Sequence, residues 1–373
     1  MKIAFDAKRA LNNVAGLGQY SRILINALSR DFPENDYHLY SPKVKEFLNK
    51  ELRSNHSLHL PETFFSKKIP SYWRSFGIMN DLIKDQIDVF HGLSNELPLN
   101  SHKTTSIKKV VTIHDVIFLK HKEQYSLIDR SIFDYKTRYA CKYSDKIIAI
   151  SEETKMDLIH FYKVPEEKIE VIYQSCSPLF YESVEDEKKS MIRLKYNLPD
   201  NFILNVSSYF PRKNHKAIIE ALELLKDKTD LHVVFIGGQG NCKEEIKALI
   251  KRKKLESRVH MLSDVGNDDM PVIYQLANLF VYPSFFEGFG IPILEALFSK
   301  LPVIATKGNC FEEVGGQGSF YVDPTNAVEL SEMIYEILSN SALRGRMIQA
   351  GLIQANSMKD DIFAKNTIAV YNA

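Results

Sequence analysis

Cysteine, tryptophan, long apolar runs and net charge are all scarce in this chain, and each shortage excludes something. The four cysteines, Cys141, Cys176, Cys242 and Cys310, lie far apart with no Cys-x-x-Cys pair. That spacing argues against a zinc knuckle or a disulfide framework and suits a reducing cytoplasm. Lys and Arg number 48 against 47 Asp and Glu, a net charge of +1, so no global basic character marks a nucleic-acid binder. No stretch approaches the roughly 18 consecutive apolar residues that a spanning helix requires. The opening residues, Met1-Lys-Ile-Ala-Phe-Asp-Ala, have too short an apolar run for a signal peptide, and Asp6 interrupts it. The expectation is a soluble cytoplasmic chain whose 373 residues suffice for two domains.

The most informative stretch runs from Val281 to Leu297. It reads as a buried strand, Asn278 to Tyr282, then a loop with Gly288 and Gly290, then a helix opened by Pro292. Glycine lets backbone N–H groups approach a ligand closely. Glu287 falls on the loop and Glu295 in the first turn of the helix, both at the carboxyl end of a strand, where open α/β sheets bind ligands. Carboxylates accept hydrogen bonds from hydroxyls and a helix N-terminus holds phosphate, so the pair suits a polyol joined to an anion, such as a sugar nucleotide. Either glutamate alone reads as a solvated acid or a complement to the helix dipole; the pair around Gly-Phe-Gly-Ile-Pro does not. Downstream of the strand Phe202 to Val206, Arg212 and Lys213 enter at a helix start, where positive charge opposes the dipole unless a diphosphate occupies the site.

Glu287 and Glu295, with seven residues between them in Glu-Gly-Phe-Gly-Ile-Pro-Ile-Leu-Glu-Ala, resemble the E-x7-E signature of retaining glycosyltransferase family 4. The resemblance spans almost the whole chain and is closest to mannosyltransferase-like, group 1 members. It implies a GT-B fold: an α/β chain of two Rossmann-like domains facing each other across a cleft. The implied boundaries are an acceptor domain over 1–176, a nucleotide-sugar donor domain over 177–356, and a C-terminal helix, 357–373, crossing back to the first domain. Ala15-Gly-Leu-Gly-Gln-Tyr resembles the family's Gly-x-Gly-x-Tyr loop, whose glycines, here Gly16 and Gly18, lie beside the donor phosphates and the acceptor. Ile113-His-Asp115 resembles the step in which the histidine, here His114, approaches the transferred sugar; His91 matches less closely. Pro-Arg-Lys-Asn214 resembles the diphosphate-binding step, with Lys213 the closest match and Arg212 beside it.

The resemblance implies hexosyl transfer from a nucleoside diphosphate sugar, GDP-mannose by overall similarity, to an acceptor hydroxyl in glycan, lipopolysaccharide or capsule assembly. Glu287, His114 and Lys213 are the expected catalytic residues. Arg212, Gly288, Phe289, Gly290, Ile291, Glu295, Gly16 and Gly18 are expected to bind the donor, with Glu295 on the ribose hydroxyls. No Asp-x-Asp stands at a strand end beside them, and Asp268-Asp269 reads as a helix cap, so no metal or other cofactor is expected. Ser66 to Arg74, a basic segment with the only tryptophan, reads as a solvated loop anchored by that one aromatic, with an acidic membrane surface or the acceptor as alternative contacts. Two other readings use the same fold: a sugar-nucleotide epimerase and a non-catalytic nucleotide-sugar-binding protein. A nicotinamide enzyme is disfavoured, because the first strand leads into no complete Gly-x-Gly-x-x-Gly.

Overall fold

Short runs of Val, Ile, Leu and Phe without polar alternation call for strands buried on both faces, hence for parallel sheets flanked by helices. A computed structural model, describing residues 1–53, 55–238 and 240–373, contains two such sheets. Each belongs to its own compact unit, Met1–Cys176 with Met358–Ala373, and Ser177–Ser357.

The first unit holds β1 (Lys2–Asp6), β2 (Asp36–Tyr40), β3 (His56–His59), β4 (Val89–Gly92), β5 (Lys108–Ile113), β6 (Lys146–Ala149) and β7 (Ile169–Val171), in the spatial order β3-β2-β1-β4-β5-β6-β7. The second holds β8 (Phe202–Val206), β9 (His232–Ile236), β10 (Val259–Leu262), β11 (Leu279–Tyr282), β12 (Val303–Thr306) and β13 (Ser319–Val322), in the order β10-β9-β8-β11-β12-β13. Every recorded pairing is parallel, with Phe5 opposite His91 and Phe280 opposite Leu204 at the two central junctions. In both sheets the direction of chain progression reverses between the first strand and its fourth-strand neighbour. That places a topological switch point between β1 and β4 and another between β8 and β11, the positions where doubly wound sheets open a crevice.

Several boundaries differ from the sequence reading for visible reasons. Asn278 lies just before β11 because its side chain accepts a hydrogen bond from Phe202 N at 2.8 Å. Two edge strands, β3 and β13, are short and only partly buried, so neither leaves an apolar run to find. Gly16 and Gly18 sit in the first turn of the helix Gly16–Asp31, separated from β1 by a further short helix, Lys8–Asn12. The Gly18 amide donates to Ala15 O at 2.8 Å, and a Cβ there would fall 1.8 Å from Asn13 O. Gly18 is therefore demanded by a close backbone approach, and its N–H is committed within the helix.

The segment expected to be a solvated loop is helical, with turns at Phe64–Lys68 and Pro70–Tyr72 and a π-type turn at Trp73–Gly77. Trp73 is buried and its indole donates to Asp81 Oδ2 at 2.7 Å, while Arg74 points into the unit rather than to solvent. The last helix, Asp360–Asn372, packs within the first unit on the helix Gly16–Asp31. Arg30 Nη1 reaches Asp360 Oδ2 at 2.6 Å, and Lys108 Nζ donates to Val370 O at 2.8 Å.

Candidate functional site

In the second unit the chain after β8 and the chain after β11 meet at the switch point. Pro211–Lys213 forms a 3-10 turn, halted by Asn214 at φ 55°, a left-handed conformation that asparagine tolerates. Asn214 Nδ2 donates to Pro283 O at 3.2 Å and Pro324 O at 2.7 Å, and Phe285 N donates to Arg212 O at 2.8 Å. These backbone ties bring the two basic side chains onto Glu287. Arg212 Nη1 lies 2.6 Å from Glu287 Oε2, and Lys213 Nζ pairs with Glu287 Oε1 while donating to Tyr282 Oη at 2.8 Å.

Burial by itself would favour a protonated Glu287, but Lys213 and Arg212 outweigh it and hold the carboxyl below its usual range. Burial pulls Lys213 down, and Glu287 opposes that pull. The result is a cluster at the end of the sheet in which Glu287 is held ionised, Lys213 is buried and Arg212 is partly exposed.

A second loop, which sequence reading left unassigned, fastens the Glu287 segment from behind. Thr306 Oγ1 donates to Ser284 O at 2.7 Å and Asn309 Nδ2 to Phe285 O at 3.3 Å. Cys310 Sγ donates to Glu287 O at 3.3 Å and to Phe289 O at 3.1 Å. Four carbonyls of residues 284–289 are thus held on one side. The turn that does this needs Gly308 at φ 81° and Asn309 at φ 58°. A Gly-Asn pair announces such a turn, but nothing in the spacing shows that Cys310 reaches the loop.

Glu295 lies elsewhere in the motif's geometry. The helix Ile291–Phe298 starts after Gly290 at φ 113°, so Glu295 is in its second turn, not its first. Its side chain turns inward, fully desolvated, and accepts from Tyr274 Oη at 2.8 Å. Burial pushes its pKa up to about 7, with the Tyr274 bond working in the opposite direction. Tyr274 stacks on Phe280 at 5.4 Å and Phe280 on Tyr282 at 5.8 Å, so a column of rings links the hydroxyl partner of Glu295 to that of Glu287. Asp269, expected to cap the Tyr274 helix Met270–Leu276, makes no capping hydrogen bond. It takes Lys195 Nζ at 2.6 Å and Tyr196 Oη at 2.7 Å instead.

In the first unit, His114 directly follows β5. Its Nε2 lies 2.9 Å from Leu93 O, its backbone N donates to Asn95 Oδ1 at 2.8 Å, and Tyr20 stands edge-on to the ring at 4.6 Å. A carbonyl only accepts, so Nε2 carries the proton and Nδ1 the lone pair. Burial lowers the His114 pKa to about 4, which makes the ring neutral at pH 7. His91 is used up structurally: Nδ1 meets Tyr371 Oη at 2.6 Å and Nε2 meets Thr112 Oγ1 at 2.8 Å, tying β4 to the last helix.

Comparison with known proteins shows which family the chain belongs to and which fold it shares. Residues 186–353 match the family described as glycosyl transferases group 1, and residues 14–176 match glycosyltransferase family 4. Over its full length the chain is 26% identical to O-antigen chain mannosyltransferase B of Escherichia coli, covering 99% of that protein. It is 27% identical to the Salmonella typhimurium O-antigen chain mannosyltransferase RfbU, over 62% of each chain. Among solved structures, Anabaena Alr3699/HepE in complex with UDP superposes with a TM-score of 0.79 at 18% identity, over 100% of both chains. WaaG, a glycosyltransferase involved in lipopolysaccharide biosynthesis, superposes with a TM-score of 0.72 at 18% identity, over 98% of both chains. Two parallel sheets in this strand order are those of the GT-B fold, and with both halves of the chain matched the protein belongs to the family 4, group 1 glycosyltransferases.

Proposed function

We propose that this glycosyltransferase moves a mannosyl unit from GDP-mannose to a hydroxyl of a growing O-antigen or related surface glycan, with retention at the anomeric carbon. The observation that carries the reading is the Arg212–Glu287–Lys213 cluster at the switch point between β8 and β11. As the glycosidic bond breaks, negative charge grows on the departing diphosphate, and preorganised cations there lower the barrier. Lys213 and Arg212 supply that charge, and the first N–H groups of the helix at Ile291 add to it. Glu287 steadies the carbohydrate from the loop of Gly288, Phe289 and Gly290, and Glu295 takes the ribose hydroxyls once ionised. In the first unit, His114 is neutral with a lone pair on Nδ1, the form that accepts a hydrogen bond from a hydroxyl.

A carboxylate bridged by two cations is a poor nucleophile, which favours a front-face route in which the departing phosphate receives the acceptor proton. A covalent adduct trapped on Glu287 would refute that route. Because Arg212 and Lys213 provide the neutralising charge, turnover proceeds without added divalent metal; loss of activity in chelator would count against this.

The assignment is tested by thermal-shift screening against a panel of nucleotide sugars, since a ligand that binds only the folded state raises Tm in proportion to the logarithm of its concentration over Kd. GDP-mannose is expected to give the largest rise, and NMR of the product fixes the anomeric configuration. A largest rise with another donor overturns the choice of sugar, and isomerisation of donor alone overturns transfer.

No helix among the described residues is long and apolar enough to cross a membrane. The first unit nevertheless exposes Phe64 (76%), Leu127 (71%) and Ile128 (74%), with Lys67 and Lys68 close to Phe64 in sequence. This supports work at the inner face of the cytoplasmic membrane on a lipid-linked acceptor. Failure to co-sediment with anionic vesicles at low salt would remove that element.

A further inference from the structure

The switch point of the first unit carries charge that the catalytic reading leaves unused. Asp6 ends β1, Glu96 lies in the loop after β4, and between them the π-type turn Trp73–Gly77 inserts Arg74. Arg74 Nε donates to Asp6 Oδ2 at 2.8 Å and Nη1 to Glu96 Oε2 at 2.6 Å; Lys136, from the helix Leu127–Tyr143, shares Glu96 at 3.1 Å. Both carboxylates are therefore occupied. Lys8 and Arg9 follow β1 at the same rim, half-buried, and neither side chain has a hydrogen bond or ion pair among the described residues. Burial, then the charge of Arg74, pulls the Lys8 pKa down, and Arg9 lies close enough to His114 to disfavour its protonation. Four cations, Lys8, Arg9, Arg74 and Lys136, face two carboxylates, Asp6 and Glu96, a local excess of two positive charges in a partly desolvated crevice. Holding such charge apart from a counter-ion is unfavourable, and π-type turns are frequent at functional sites.

We propose that this crevice is an anion site in which Lys8 and Arg9, set in place by the Asp6–Arg74–Glu96–Lys136 network, bind a phosphate or diphosphate ester carried by the acceptor. The choice of the acceptor as its source rests on the transferase reading; the anion site itself does not. Lys8 and Arg9 form the contact, and Arg74 is a positioning residue that fixes Asp6 and Glu96 so that neither carboxylate turns to neutralise them.

The test uses the full chain and inorganic pyrophosphate as probe, followed by calorimetric titration with and without a saturating nucleoside diphosphate in the donor site. Pyrophosphate is expected to bind in both conditions, and Lys8→Gln/Arg9→Gln to weaken that binding at least tenfold while leaving the nucleotide's affinity unchanged. Lys8→Arg should retain it. Because the double variant removes uncompensated cations, its unliganded Tm should equal or exceed that of the parent; a lower Tm marks a structural role and overturns the proposal. So does pyrophosphate binding that the double variant leaves intact, or none in the parent. If the double variant loses the nucleotide as well, the two side chains serve the donor's diphosphate and the acceptor assignment is wrong. Should no nucleotide bind the parent at all, the transferase reading fails separately, and the titration with pyrophosphate alone still decides the anion site.

Discussion

The two switch points solve one electrostatic problem in opposite ways. Between β8 and β11, Glu287 is shared by Arg212 and Lys213, and all three residues come from two short segments, 212–213 and 287. Between β1 and β4, the corresponding network draws Asp6, Arg74, Glu96 and Lys136 from four separate stretches and buries Arg74 as its centre. In the second unit the charges come from segments that lie beside each other at one switch point; in the first, the network ties the turn Trp73–Gly77 to the end of β1 and to the loop after β4. Position in a doubly wound sheet therefore does not decide whether a buried ion pair serves chemistry or architecture.

That difference is broken most severely by Arg74→Ala. Asp6 and Glu96 together raise the Arg74 pKa against the pull of burial, and removing the guanidinium strands Asp6 without a cation in hydrogen-bond contact. Removing one partner of a buried pair costs about 3–5 kcal/mol, so chemical denaturation should show a first unit that is largely destabilised. Lys213→Ala behaves differently, because Arg212 still pairs with Glu287 at 2.6 Å. Its fold should survive, while turnover falls by about two orders of magnitude, the effect of losing roughly 3 kcal/mol of transition-state stabilisation. Wild-type-like turnover in a folded Lys213→Ala protein would remove the chemical role of the cluster.

How much of this could be read from residues follows from the same contrast. Contiguous features are legible: β8 has the expected limits, and Glu287 with Lys213 announces itself through local pattern. What stayed hidden depends on contacts between distant segments. Arg74 looked like part of a solvated basic loop because its partners, Asp6 and Glu96, stand 68 and 22 residues away. Cys310 looked like a lone thiol because its acceptors are carbonyls, which carry no sequence signature. Gly18 matched a ligand-binding pattern, yet the structure uses it to let the helix pass Asn13. Glu295 falls in the second turn rather than the first because Ile291, not Pro292, takes the first helical position.

A finer separation lies inside the motif itself, between its two glutamates. Glu287 is ionised by its cations, whereas Glu295 has a pKa raised to about 7 from 4.5 by burial. A carboxyl that binds its proton more tightly when folded adds stability that is complete below about pH 4.5 and disappears as pH rises through about 7. That contribution is on the order of 3 kcal/mol, so wild type should lose stability relative to Glu295→Gln between pH 5 and 8. Under the proposed ribose-binding role of Glu295, donor affinity should move the other way, rising over the same interval as the carboxylate forms. Parallel pH profiles for Glu295→Gln and wild type would show that the group does not titrate in this window.

The gentlest perturbation addresses the loop that holds Glu287 in place. Cys310→Ala removes a weak S–H donor to Glu287 O and Phe289 O but leaves Thr306 and Asn309 on Ser284 and Phe285. Each such bond contributes only about 1 kcal/mol, so the expected loss of global stability is of that size and the fold is kept. The informative readout is how KM for the donor and kcat divide the effect. Without Cys310 the carbonyls of Glu287 and Phe289 turn more freely, and the carboxylate is presented over a wider range of angles to its two cations. Since a transition-state interaction depends on geometry more steeply than ground-state binding does, kcat should fall by more than KM rises. Cys310→Ser, whose hydroxyl still donates, should recover most of the lost kcat. An equal loss in Ser and Ala variants would mean that sulfur packing, rather than its hydrogen bonds, sets the loop.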